Sequence, residues 1–374
     1  MPSGPLPAYP SGPEGPPWVT RPLYGSGSLA SVLVEALARR ADGRKLVVVL
    51  ADGLGLANLS ARRGHAPFLW SAPRERYVTG FPSTTVTALG SFGTGLGPGA
   101  TALAGYSLRD PATGRRASLI KWDTPTPPTS WQPHTTLFER LAAEGQPAAF
   151  VGEARFETSA MTRSSLRGAR FYAGGTAPAT RIAAALRATK DGPGLVYVYW
   201  GELDKVGHAR GWESADWAAA LERLDGAVRT LVESLAPPWE VWLTADHGMI
   251  DVTSGPRWDV ADYPDLAQGV SLVAGEPRAV HLYTATPDAV AARWRARLAD
   301  AAWVLTRREA IAAGLFGPVD QRVVPYLGDV VVALAGRGIV LDRAGQGAGP
   351  GEMVGHHGSL TEEEMGIPLL RWSR

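Results

Sequence analysis

The chain has 374 residues, 45% of them hydrophobic and 20% charged, with a formal net charge of +1. That length can bury a full-sized core, as one large domain or two. The near-zero charge gives no field that would draw a nucleic-acid polymer or an anionic membrane. With no cysteine, a disulfide framework, thiolate catalysis and a thiolate zinc site are all excluded.

Met1 to Pro17 is rich in Pro and Gly, without the basic and apolar regions of a secretory signal. Residues 1–26 read as a flexible arm and 27–374 as the catalytic domain. No apolar run approaches the ~20 residues of a membrane span, so a soluble, cytoplasmic protein is expected. Basic pairs such as Arg115-Arg116 and Arg307-Arg308 read as solvated surface.

Ser28 to Arg40 carries Leu29, Val32, Leu33, Ala36 and Leu37 at helical spacing. Leu46 to Leu50 is a continuous apolar strand, of the kind buried on both faces of a parallel sheet. It runs into Asp52-Gly53, which alone is as consistent with a plain turn as with a ligand. Phe81-Pro82-Ser83-Thr84-Thr85 then leads into a small-residue stretch that can be helical. A hydroxyl there would face free N–H groups and the positive end of a helix dipole; the alternative is a simple N-cap.

Strands are expected at Ala148 to Val151, Leu195 to Trp200 and Val241 to Ala245, and helices at Thr136 to Glu144, Thr180 to Ala188 and Ser214 to Leu235. This alternation predicts an α/β fold with a mostly parallel sheet, whose ligands gather at the carboxyl ends of strands. Asp204 and His208 follow the second of these strands. On a helix their spacing places both on one face, but Gly201, Gly207 and Gly211 suggest a loop; a capping Asp and a surface His are the alternative. Asp246-His247-Gly248-Met249 follows the third strand. Neighbouring strand residues point to opposite faces, so one site takes both side chains only if the backbone turns, which Gly248 would allow. Next come a strand over Arg278 to Thr284, a helix over Asp288 to Asp300 and a strand over Gly328 to Leu334. They suggest a small α+β lobe inserted at about 255–345. Gly355-His356-His357-Gly358 lies near the end.

Three Asp, a hydroxyl and three His suffice for two four-coordinate ions. Three gathered carboxylates would resist ionising without cations. Two divalent ions about 4 Å apart are a recurring device for breaking phosphoester bonds. The mixture of His and carboxylate favours zinc, with manganese the alternative.

Taken in order, Asp-Gly, Phe-Pro-x-x-Thr, Asp-x3-His-x2-Gly, Asp-His-Gly-Met and Gly-x-His-Gly resemble the alkaline phosphatase superfamily. Within it the chain most resembles the nucleotide pyrophosphatase/phosphodiesterase branch, over roughly Lys45 to Pro368. The resemblance implies a three-layer sandwich around the parallel sheet. It implies that Asp52, Thr85, Asp246 and His247 surround one metal, that Asp204, His208 and His357 hold the other, and that Thr85 is a covalent nucleophile. The implied reaction is hydrolysis of a phosphodiester or nucleotide pyrophosphate, a small-molecule substrate, through a phosphothreonine. A phosphomonoesterase on the same site and a non-catalytic metal-binding scaffold are the alternatives. The chain departs from the family around the substrate. Thr84 stands where the family has Lys, Ala88-Leu89 where it has Asn-His, and Gly105-Tyr106 where it has Gly-Asn. Substrate selection is therefore expected from Thr84, Tyr106, Arg109 and Lys121, with the Tyr263 to Val280 stretch.

Overall fold

The structure is a computed structural model describing residues 12–192, 194–347 and 349–373. In chain order its two principal sheets contain Lys45–Ala51 (β1), Arg74–Val78 (β2), Ala149–Gly152 (β3), Arg170–Ala173 (β4), Leu195–Trp200 (β5) and Trp239–Thr244 (β6). Leu272–Glu276 (β7), Ala279–Tyr283 (β8), Ala302–Thr306 (β9), Val330–Leu334 (β10) and Gly366–Ser373 (β11) follow.

The central sheet has the order β2-β11-β6-β1-β5-β3-β4. From β6 to β4 every pairing is parallel, while β11 runs antiparallel to both β6 and β2. Val47 of β1 lies between Val196 and Val241. From Leu46 to Ala51 every residue of β1 is buried, so both faces of the sheet are covered, as the unbroken apolar run requires. Leu29–Ala41 (α1) turns Leu29, Val32, Leu33 and Ala36 inward at helical spacing.

The expected strands and helices form within a residue or two of their predicted limits. Three sheet strands carry little sequence signal. β2 is Arg-Glu-Arg-Tyr-Val, with its first three residues exposed; β4 is similarly open; β11 contains Pro368. Charge at the edges and proline in β11 hide these segments from a reading based on hydrophobic period.

The second sheet has the order β7-β8-β10-β9, all antiparallel. Pro287–Leu298 (α2) buries Val290, Ala291, Trp294 and Leu298. These join Val280, Leu282, Val330 and Val332 in a core separate from the main one. The lobe meets the body through the β7–β8 hairpin. Arg278, fully buried, pairs with Glu364 through Nε at 3.1 Å and Nη2 at 2.8 Å, and its Nη1 donates to the Gly338 carbonyl at 2.6 Å. Glu364 in turn accepts from the Ser359 amide at 2.9 Å and the Thr361 hydroxyl at 2.7 Å. Glu276, also buried, accepts from the Tyr106 amide at 2.7 Å.

From residue 12 onward the expected flexible arm is held to the body. The Thr20 amide donates to the Leu360 carbonyl at 2.7 Å, and Arg21 donates to the Ala313 carbonyl at 3.1 Å. The Tyr24 hydroxyl donates to Leu315 and accepts from the Phe81 amide. These side chains and amides give residues 12–26 the anchoring that their composition does not reveal; residues 1–11 lie outside the described part. No helix among the described residues is long and apolar enough to cross a membrane.

Replacing Arg278 with Met leaves Glu364 buried and unpaired, a loss of about 3–5 kcal/mol for such sites. Denaturant unfolding should show it, with Arg278→Met/Glu364→Gln recovering part. A loss under about 1 kcal/mol would mean the pair does not support the fold.

Burial raises the Glu276 carboxyl to about 8 from an ordinary 4.5. A folded-state value above the unfolded one makes this group's stability contribution greatest below pH ~4.5 and lost as pH rises toward ~8. Glu276→Gln should therefore lose less melting temperature than the parent between those limits. Parallel pH profiles of the two proteins would contradict this.

Candidate metal centre

The candidate ligands arrive from five places around the carboxyl edge of the central sheet. Asp52 follows β1 directly, and its carbonyl accepts from the Asp204 amide at 3.1 Å. Asp204 and His208 lie on a helix, Glu202–Arg210. The glycines had suggested a loop; the structure corrects this. Gly207 is needed for close packing, since a Cβ there would stand 2.2 Å from the Met249 sulfur. The i,i+4 spacing thus presents both ligands on one helical face.

Asp246 and His247 leave the end of β6 in irregular backbone, and both side chains reach the same centre. The reason for Gly248 differs from the one expected. Its φ is not positive; instead a Cβ would stand 1.9 Å from the Glu363 carbonyl oxygen. Asn58 fixes this loop by donating to the Met249 carbonyl at 3.0 Å and accepting from its amide at 3.2 Å. Thr85 is the first residue of the helix Thr85–Thr94, with Thr84 at its N-cap.

All three histidines are oriented the same way. His208 Nδ1 lies 2.8 Å from the Gly355 carbonyl, His357 Nδ1 2.9 Å from the Ser83 carbonyl and His247 Nδ1 3.0 Å from the Gly248 carbonyl. A carbonyl can only accept, so each Nδ1 donates and each neutral ring offers its Nε2 lone pair to the centre. His208 Nε2 is 3.2 Å from Asp204 Oδ1, and His357 Nε2 is 3.6 Å from the same oxygen. His247 Nε2 is 3.3 Å from Asp246 Oδ2, 3.5 Å from Asp52 Oδ1 and 3.3 Å from Thr85 Oγ1. The rings of His247 and His357 stack with centroids 3.6 Å apart.

Asp52 Oδ1, Asp204 Oδ1 and Asp246 Oδ2 are buried without a hydrogen-bond partner. Their surroundings are otherwise well arranged. The Tyr199 hydroxyl donates to Asp52 Oδ2, and the Gly53 and His247 amides each donate to Asp246 Oδ1 at 3.0 Å. Burial, then the charges of Asp246 and Asp204, push the Asp52 carboxyl well above its usual range. Burial takes Asp246 to about 7. At Asp204 burial pushes upward but is outweighed by the nearby His208, whose positive charge holds it low. His208 itself rises to about 9, because Asp204 outweighs the downward pull of burial.

Two overlapping triads meet the geometry of metal donors. Asp204, His208 and His357 place one donor atom each within 4.8 Å of one another, as do Asp52, Asp204 and His247. Asp204 lies between the two groups. The first triad has the membership expected for one ion, and the second joins through His247 to Asp246 and Thr85.

A cleft of about 600 Å³ opens onto this cluster, with Asp52, Thr84, Thr85, Tyr106, His208 and His357 among its walls. A wider groove of about 750 Å³ at the opposite end of β1, near Lys45 and Arg140, includes none of these donors. Of the residues expected to contact substrate, Thr84 and Tyr106 face the cleft. Arg109 does not line it. Its guanidinium lies 4.5 Å over the Tyr283 ring and donates to the Pro325 carbonyl, tying the loop to the lobe. Lys121 is exposed, and its neighbour Ile120 lines the cleft instead. Tyr199 and Asn58, which support Asp52 and the Asp246–Met249 loop, have no motif that would have singled them out.

The chain matches the family described as Type I phosphodiesterase / nucleotide pyrophosphatase over residues 46–360. It is 34% identical over 156 residues to a phosphopentomutase from Methylobacterium nodulans, covering 41% of this chain and 36% of that protein. That match spans about a third of the curated relative. Among solved structures it superposes on murine ectonucleotide pyrophosphatase / phosphodiesterase 5, an inactive variant in complex with AMP, with TM-score 0.70 at 16% identity over 87% of each chain. Phosphonoacetate hydrolase from Sinorhizobium meliloti, in complex with phosphonoacetate, gives 0.68 at 18% identity over 88% of this chain and 90% of that one. With the motif order, the sheet and the donor cluster all in agreement, the chain belongs to the Type I phosphodiesterase / nucleotide pyrophosphatase family of the alkaline phosphatase superfamily.

Proposed function

We propose that this hydrolase cleaves phosphodiester or nucleotide pyrophosphate bonds with two bound divalent ions, zinc by its donor set, and a covalent intermediate on Thr85. The observation that carries this reading is the convergence of three unpartnered buried carboxylate oxygens and three Nε2 atoms beside the Thr85 hydroxyl. Asp52, Thr85, Asp246 and His247 would hold one ion; Asp204, His208 and His357 would hold the other. When bound, the ions supply Lewis acidity and neutralise the clustered carboxylates.

The protein's own contribution is placement. Thr85 opens a ten-residue helix, so a phosphoryl oxygen beside it meets free backbone N–H groups and the positive end of the dipole. Thr85 Oγ1 forms the bond to phosphorus while the bond to the leaving oxygen breaks. Attack by water on the phosphothreonine then frees the phosphoryl product and restores the hydroxyl. Burial of Asp52, Asp246 and His247 keeps bulk water from their inner edges. Tyr106, exposed at the cleft, is placed to meet the group that is not transferred. Hydrolysis of bis-p-nitrophenyl phosphate against p-nitrophenyl phosphate separates the diester reading from the monoester one.

Elemental analysis should find about two transition-metal ions per chain, and exhaustive chelation should abolish turnover. Activity that survives with no metal bound would end the two-metal reading. His357→Ala should lose an ion and most activity. His356→Ala should be milder, since its buried Nε2 lies outside both triads; equal loss in both would contradict the assignment.

Thr85→Ala should lower kcat by on the order of 10³-fold or more with metal content retained, as removal of a nucleophile does. Thr85→Ser should keep part of the rate. An active Thr85→Ala beside a dead Thr84→Ala would move the nucleophile one residue upstream.

A further inference from the structure

The cleft has a second wall that takes no part in holding the metal donors. Arg155, Arg181, Lys205, Glu153 and Glu202 contribute to it. Arg181 is the unusual member. It lies in the first turn of the helix Pro178–Lys190, where the dipole disfavours a cation. Its side chain is only 3% exposed and lies against Trp200, with the guanidinium carbon 4.7 Å from the ring centroid. Nη2 donates to the Gly175 carbonyl at 3.0 Å. Nε and Nη1 are buried with no partner.

The carboxylates nearby do not complete it. Glu153 Oε1 is 4.0 Å from Arg181, and the other oxygen of Glu153 accepts from Arg155 at 2.9 Å. Glu202 Oε1 is engaged by Arg223 at 2.7 Å. Lys205 is exposed at the same cleft and forms no ion pair among the described residues. Glu202 Oε2 is itself buried without a partner, so this wall gathers three cations, Arg155, Arg181 and Lys205, against the two carboxylates Glu153 and Glu202. Burial, partly opposed by Glu153 and Glu202, pulls the Arg181 guanidinium below its usual value. A buried cation without a matched partner is costly, and guanidinium groups are well suited to carboxylate and phosphate.

We propose that Arg181, with Lys205 at the mouth, forms a subsite for a second anionic group, a carboxylate or phosphate, on the part of the substrate that is not transferred. The inference rests on the phosphoester reading of the neighbouring metal centre and narrows its substrates to those bearing two separated anionic groups. The reacting phosphoryl lies at Thr85, and the second anion is recognised across the cleft. Neither Arg181 nor Lys205 was among the substrate residues expected from the sequence.

The test uses the metal-supplied full chain and three non-ester ligands: ethylphosphonate, 3-phosphonopropionate and ethane-1,2-diphosphonate. Calorimetry gives their affinities without turnover. Wild type should bind at least one of the two doubly functional ligands about tenfold or more tightly than ethylphosphonate. The ligand preferred shows whether the second anion is a carboxylate or a phosphate. In Arg181→Met, which keeps an apolar stem against Trp200, the preference should fall to within about twofold. Arg181→Lys should retain part of it. Lys205→Ala, at an exposed position, should lower it and supplies the comparison if Arg181→Met does not fold. A wild-type ratio near one, or no measurable binding, overturns the subsite. So does a preference that persists in Arg181→Met, which would assign the second anion to the metals; if that variant does not fold, persistence in Lys205→Ala does the same. Should the preference depend on these residues while no phosphoester is cleaved, the hydrolase reading falls and the subsite stands. Should esters be cleaved with no preference, the reverse holds.

Discussion

Mutual repulsion among Asp52, Asp204 and Asp246 is the constraint on which the site is built. Each has an oxygen buried without a donor, in surroundings that make ionised carboxylates expensive. Such a cluster is stable only with positive charge at its centre. Burial and the neighbouring carboxylates raise Asp52 and burial raises Asp246, the signature of that repulsion. The arrangement of Nδ1 donors on three carbonyls turns every imidazole lone pair toward the same centre. Carboxylate oxygens and ring nitrogens facing one another at 3.2 to 3.6 Å make a donor set suited to a divalent cation.

Rigid elements hold that set against its own repulsion. β1 and β6 are hydrogen-bonded neighbours deep in the sheet, so Asp52 and Asp246 leave adjacent strand ends. The Asp204 amide is bonded to the Asp52 carbonyl, which seats the ligand helix on the same edge. The lobe completes the arrangement from outside. Its hairpin buries Arg278 against Glu364, and Glu364 holds the Ser359 amide two residues beyond His357. Glu276 from the same hairpin holds the Tyr106 amide at the cleft wall. The lobe thus adjoins both the metal-donor loop and the substrate cleft, although it has a hydrophobic core of its own.

The two sides of the cleft obey different requirements. The candidate donor side gathers the carboxylate and imidazole groups that coordination chemistry favours, and few residue types serve there. The opposite side must match whatever the phosphoryl group is attached to, and many solutions serve. This is consistent with departures from the family pattern at Thr84, Ala88-Leu89 and Tyr106 while every metal-donor motif is kept.

The sequence by itself determined the alternation of elements, the parallel sheet and the candidate donor residues that the structure brings together. A buried parallel strand must be apolar throughout, and an oxygen or imidazole ligand leaves a recognisable residue at a strand end. Local pattern could not decide the state of Glu202–Arg210, whose glycine-rich texture suggests a loop until Gly207 is seen packed under Met249. Nor could it reveal the edge strands β2 and β4 or their neighbour β11, where partial exposure and proline blur the period. Arg109 reads as a substrate contact, yet it stacks on Tyr283; Arg181 carries no motif, yet it lies buried at the cleft. Only the tertiary structure could separate these two arginines. Burial and the absence of a partner depend on residues far away in the chain, and no local spacing records them.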